Sequence, residues 1–367
     1  MDSLKRKKKA LRPKSVPKTK RSRPREKQGP NIENWIVQGA RDHASAGSQH
    51  VSGITYNNDI KNYYTDNIFH ATPEGLSESL SARDRRRAPN IEHHETSSRR
   101  DTIIQKHPNQ MFNKACFEGN NNRVKQLISK GEVDINNVSP GGFTPVMIAV
   151  SKGHKQVFNT LLKEKCDLSL MLDNGDDILH VACSGSNADI VKGLVSNGEI
   201  SLERKDLSGK TPLMKAACSG NRKAFDLLVD EQCNLTSIDY NGNTMLHAAC
   251  SGGSVFIVNY LLNHKVAGLE SRGEDGETPV MVAAKNGQKQ VFDILVKKRC
   301  NLSVVDDLGD TVLHAACCSD SVDMVTNLLS KKMVDIESRG EDGLTPVMCA
   351  AMEGQTEVFN ALVSQGV

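Results

Sequence analysis

The sequence predicts an all-α solenoid: a stack of helix–turn–helix units of 33–34 residues with hairpin-like turns, preceded by a disordered N-terminal region. Three observations predict it. Thr-Pro recurs at Thr144-Pro145, Thr211-Pro212, Thr278-Pro279 and Thr345-Pro346, each step being 67 residues. Between them, Asp177, Thr244 and Thr311 fall 33 residues after one Thr and 34 before the next, so the unit is half the step in two alternating flavours. Aromatic residues make up only 4% of the 367, with a single Trp, a thin supply for one large globular core.

The chain divides into three stretches. Residues 1–30 carry 13 Lys and Arg against 2 Asp and Glu, with Pro13, Pro17, Pro24 and Pro30 among them. Self-repulsion and the lack of buriable surface predict a basic disordered tail. Its two blocks, Lys5, Arg6, Lys7, Lys8, Lys9 and then Lys18, Lys20, Arg21, Arg23, Arg25, have the pattern of a bipartite nuclear import signal. A polyanion contact is the rival reading. No aromatic interleaves these charges, so no base stacking and no specific nucleic-acid recognition are expected. Residues 31–109 balance 9 basic against 10 acidic residues around Trp35, Tyr56, Tyr63, Tyr64 and Phe69 and lack sustained periodicity. They read as a polar, mostly disordered linker. Residues 110–367 hold the array and are mildly acidic, with 25 against 32.

Several classes drop out. The charged start has no apolar segment behind it, so it does not read as a secretory signal. No run approaches 18 apolar residues, so no membrane span is expected. All ten Cys lie after residue 110, too regularly placed in too long a chain to be the staples of a small secreted domain. The expectation is a reduced, intracellular protein of nucleus or cytoplasm.

Each unit follows from its residues. Thr offers its hydroxyl to the orphan N–H groups at the start of a helix, and Pro at the first helical position has no N–H to lose. A short apolar helix such as Val280-Met281-Val282-Ala283-Ala284 stops near Gly287. A second helix spaces Val291, Phe292, Leu295 and Val296 three and four apart. A polar turn, for example Gly273-Glu274-Asp275-Gly276, leads to the next Thr. Such a unit cannot bury its own apolar faces; stacked on its neighbours, it can.

These strings resemble the ankyrin repeat family. Gly209-Lys210-Thr211-Pro212-Leu213-Met214-Lys215-Ala216-Ala217, with Gly220 and Leu227-Leu228, follows its frame closely, and Thr244-Met245-Leu246-His247-Ala248-Ala249 keeps the family's His. The resemblance implies about eight units, beginning near Gln110, Thr144, Asp177, Thr211, Thr244, Thr278, Thr311 and Thr345. Some depart from the frame. The first lacks Thr-Pro, as a capping repeat can; the seventh has Ser319-Asp320 where the helix-ending Gly belongs. The last has an apolar second helix (Val358, Phe359, Leu362, Val363), which predicts a longer array or a covered end.

Little chemistry is expected. The pairs His180/Cys183, His247/Cys250 and His314/Cys317 set two metal-type ligands one helical turn apart, but successive pairs are two repeats apart, roughly 20 Å at helix-packing distances. A loop-bracing His and a core thiol explain them better, so no metal and no cofactor is expected. No phosphate loop, Gly-x-Ser-x-Gly or His-Glu-x-x-His occurs, and paired acids such as Asp176-Asp177 and Asp306-Asp307 read as turn formers and N-caps. The chain does not read as an enzyme.

What remains is a surface. The resemblance implies binding of protein partners through the turn tips and the exposed side of the first helices, with a scaffold or adaptor role. The candidate residues are Lys210, Tyr240, Asn241, Asn243, Glu274, Asp275, Glu277, Asp307, Asp310, Glu341 and Asp342 at the tips, and Lys215, Lys285 and Asn286 on the helices. From the sixth unit on, the tips are acidic, which suits basic partner segments, the chain's own residues 5–27 among them. A monomeric array is expected. The rival readings are a targeting module of a larger enzyme or receptor and a polyanion-binding nuclear protein acting through its tail.

Overall fold

The computed structural model describes residues 108–319, 321–330 and 334–365. They lie in the larger of two compact units, Ser48–Val367. The basic tail, its candidate import signal and nearly all of the linker lie outside the described residues.

Sixteen helices make eight pairs among the described residues. The first pair is α1 (108–117) and α2 (Asn121–Ser129). Then come α3 (Pro145–Ser151) with α4 (Lys155–Lys163), α5 (Ile178–Ser184) with α6 (Ala188–Asn197), and α7 (Pro212–Cys218) with α8 (Arg222–Asp230). The fifth and sixth pairs are α9 (Met245–Ser251) with α10 (Val255–Asn263) and α11 (Pro279–Lys285) with α12 (Lys289–Lys297). The last two are α13 (Val312–Cys317) with α14 (Val322–Ser330) and α15 (Pro346–Met352) with α16 (Thr356–Val363). The odd helices from α3 to α15 pack in one file, and each even helix from α4 on packs against its odd partner. This is the all-α repeat solenoid that the 67-residue step predicts.

Local chemistry sets the helix ends. Thr144 and Thr211 are extended at the N-cap and accept from the amides of Met147 (3.4 Å) and Met214 (3.3 Å), with Pro next in line. Beyond α11, Gly287 has φ +66°, a left-handed stop for which Gly has no Cβ penalty. In the seventh unit the Ser319 hydroxyl donates to the Ala316 carbonyl (2.8 Å), and α13 is one residue shorter than the other first helices from α3 on.

The core runs along the stack. Phe158, Phe225 and Phe292 are buried at the same place in α4, α8 and α12, and every residue of α3 is buried. Each fully buried side chain of this size contributes about 1.5–3 kcal/mol. In the last unit Val358 and Leu362 are buried, but Met348, Met352 and Val363 stay 45–49% exposed. Hairpin-like turns join the units, three as tight turns over Pro140–Gly142, Glu274–Gly276 and Glu341–Gly343, and two pinned by antiparallel bridges, Ile238 to Thr244 and Val305 to Thr311.

Candidate partner-binding surface

The turns are built before they are displayed. Asp206, Asp239 and Asp306 open their turns, and one oxygen of each accepts the amides two and four residues on: Ser208 and Lys210 (2.9 and 2.8 Å), Asn241 and Asn243 (3.0 and 2.8 Å), Leu308 and Asp310 (3.0 and 2.8 Å). The framework histidines hold alternate turns, those ending at Lys210, Glu277 and Leu344, from the preceding helix. His180, His247 and His314 reach the carbonyls of Lys210, Glu277 and Leu344 through Nε2 at 3.1, 3.1 and 3.2 Å. Each carbonyl belongs to the residue just before the next N-cap. The predicted loop brace is therefore what these rings do.

Neighbouring turns are also tied directly. The amides of Asp173, Leu207, Tyr240 and Asp307 donate to the carbonyls of Gly141, Asn174, Ser208 and Asp275 in the turn before (2.8–3.1 Å). Where the turn opens with Gly, a side chain replaces that rung. The Glu274 amide donates to Asn243 Oδ1 (3.1 Å) and the Glu341 amide to Asp310 Oδ1 (3.0 Å). A Cβ at Gly340 would collide with that Asp310 oxygen, so the glycine is what lets the carboxylate close the rung. The second turn position thus forms one file across five units: Leu207, Tyr240, Glu274, Asp307, Glu341. Leu207 is 72% and Tyr240 68% exposed, Ile238 lies exposed beside them, and Lys205 Nζ sits 5.4 Å above the Tyr240 ring.

The predicted site residues divide on this frame. Tyr240, Asn241, Asp275, Asp307, Glu341 and Asp342 are exposed at the tips. Asn243 and Asp310 are half-buried rungs, so their side chains work inside the array. Glu274 accepts from Asn241 Nδ2 (2.9 Å), Asp307 pairs with Arg272 (2.8 Å), and Glu277 pairs with Lys285 (2.7 Å). Asn286 is exposed on its helix, and its side chain donates back to the Val282 carbonyl of that helix. Lys210 is half-buried, with its backbone in both the Asp206 turn and the His180 brace.

Lys215 is a correction. Its side chain is only 12% exposed and lies between two buried carboxylates, Asp176 (3.0 Å) and Asp206 (2.8 Å). Burial works against its charge, but the two carboxylates outweigh that and push its pKa up. Burial likewise acts to raise Asp206, and the Lys215 ammonium overrides it and holds the carboxyl below its usual range. Asp176, expected as a plain turn former, is half of this clamp. Asp177 is the expected N-cap: it accepts from the amides of Leu179 (3.0 Å) and His180 (3.1 Å) and lies 2.7 Å from His180 Nδ1.

The thiols are core atoms. Cys183, Cys250 and Cys317 are fully buried, and burial pushes Cys166 and Cys233 up to about 11, which keeps them protonated and unreactive at neutral pH. Among the described residues no cluster of His, Cys, Asp and Glu could hold a metal ion, and no helix is long and apolar enough to cross a membrane.

Comparison with known proteins agrees with this geometry. The family model for ankyrin repeats (3 copies) matches residues 94–171, 157–239, 231–306 and 280–367. The chain is 29% identical over 198 residues to Neurogenic locus notch homolog protein 1 of Cricetulus griseus, covering 54% of this chain and 7% of that protein. It is 28% identical over 220 residues to the Homo sapiens protein of that name, covering 59% and 8%. For Neurogenic locus notch homolog protein 2 of Homo sapiens the figures are 28% over 197 residues, 54% and 7%. The chain spans less than a tenth of the length of these curated relatives.

Proposed function

Taking as premise that the chain belongs to the ankyrin repeat family, whose model runs unbroken over residues 94–367, we propose that its array is a scaffold or adaptor that grips a partner protein along the file of turns. Repeats of this family generally mediate protein–protein interaction and are typically non-catalytic. The acidic half of the file, in units six to eight, selects a basic segment of the partner. One observation carries this reading. Glu274, Asp275, Asp307, Glu341 and Asp342 gather on consecutive turns, and Arg272 is the one cation in a salt bridge with any of them among the described residues. Complementary charge of this kind sets partner choice and speed of encounter more than raw affinity.

The test uses the full chain as bait beside a variant with Glu274→Lys, Asp307→Lys and Glu341→Lys. Loss of the retained proteins from the variant, with an unchanged melting curve, is the expected result. An identical set of retained proteins sinks the reading. We also propose that the blocks Lys5–Lys9 and Lys18–Arg25 direct nuclear entry, which a reporter fused to the full chain with these residues changed to Ala would check by its distribution in cells.

A further inference from the structure

The file of turns changes chemistry partway along, and that change has a direction. Units four and five present an exposed apolar patch, Leu207, Ile238 and Tyr240, with the Tyr240 ring lying against Gly209 and capped by the Lys205 ammonium. Units six, seven and eight present Glu274, Asp307 and Glu341 at the same turn position. A tyrosine is among the side chains that most often anchor an interface, and here it stands exposed beside two aliphatic neighbours. The rungs between turns hold the row at the spacing of packed helices, about 8–10 Å per unit.

From this spacing we infer that the occupant is an extended, polyproline II-like segment of a partner protein, with an apolar residue at Tyr240 and then Lys or Arg at every third position toward Glu341. The inference rests on the basic-segment reading above and adds conformation, register and direction to it. Polyproline II has three residues per turn and a rise of about 3.1 Å, so every third side chain returns to one face after about 9.3 Å, one unit of the array. A β-strand repeats its face every two residues, about 6.6 Å, and falls out of step within two turns. An α-helix would match only with one residue in seven, and a run of like charges disfavours it, whereas polyproline II is a major conformer of such chains. The Arg272–Asp307 pair does not block the site, because both side chains are about half exposed or more and an exposed pair of that kind is weak. An incoming Arg can take its place.

The experiment titrates the full chain into fluorescent peptides at low salt. Each begins with Leu and Phe, and three Arg follow at every second, every third or every fourth position, with Pro and Ser between; a fourth peptide spaces them by seven in a helix-forming sequence. The every-third peptide is expected to bind at least tenfold tighter than the others. Tyr240→Ser is expected to remove most of the contribution of the Leu-Phe end, and Glu341→Lys to weaken the peptide only when its third Arg is present. Tyr240 is exposed and Glu341 is on a tip, so both variants should keep the parent melting curve. Equal affinity for all spacings, within twofold, overturns the register and leaves the basic-segment reading standing. Preference for the spacing of seven overturns the conformation. No binding by any peptide overturns both.

Discussion

Two junctions in the stack meet the same problem with different lysines. Between the third and fourth units, Asp176 just before one N-cap and Asp206 at the start of the next turn are buried close together, and Lys215 sits between them on α7. Between the sixth and seventh units the same two places hold Glu277 and Asp306, but the residue in the place of Lys215 is Ala315. The cation comes instead from Lys285 at the end of α11, which pairs with Glu277 and remains 43% exposed. At Asp306 burial raises the pKa, and the Leu308 and Asp310 amides only partly offset that. An ion placed inside a repeat interface becomes part of the fold, whereas one at its rim leaves the surface adjustable.

The comparison can be broken in three ways. The largest effect is expected from Lys215→Met, which strands two buried carboxylates and should cost about 3–5 kcal/mol in denaturant unfolding of the full chain. Replacing all three members (Asp176→Asn, Lys215→Met, Asp206→Asn) should return most of that loss, since a side-chain amide oxygen at position 206 would still accept from the turn's N–H groups. A triple variant as weak as the single one would show that the charge was not the cause. An intermediate effect is expected from pH. Asp206 lies below its ordinary range in the fold, so its contribution is complete above about pH 4 and is lost as pH falls through the lower folded value. Asp306 is raised, so its contribution has the opposite sign: present in acid and lost as pH rises through the folded value. Stability measured from pH 3 to 7 should therefore show Asp206→Asn costing less toward acid and Asp306→Asn gaining toward neutrality. The smallest effect is expected from Lys285→Met. With the lysine side chain 43% exposed at the rim, its pair with Glu277 is worth about 1 kcal/mol, and a loss matching that of Lys215→Met would erase the distinction.

How far the sequence could be read follows from how far apart the interacting residues stand in the chain. Thr211 and Pro212 make an N-cap within one turn of helix, and His247 names its role by its place in the repeat, so frame, helix order and brace were legible. Asp177 as an N-cap was equally local. The Lys215 clamp was not, because Asp176 lies 39 residues away. The pattern that placed Lys215 on the exposed side of its helix says nothing of a carboxylate arriving from the previous unit. The signal was present in another form: in the equivalent helix position the other complete units carry Ile148, Val181, Ala248, Val282, Ala315 or Cys349, so a lone lysine among small or apolar residues called for a partner. The same distance hid the rungs, and with them the internal duties of Asn243 and Asp310.

The rungs joining one loop to the next are mostly main-chain atoms, and this separates the durability of the row from its wording. Leu207, Tyr240 and Asp307 hang from amide-to-carbonyl links that any residue but proline would make. Lineages sharing such a scaffold are free to swap these letters, and so trade acquaintances, while the spine that displays them goes on unaltered.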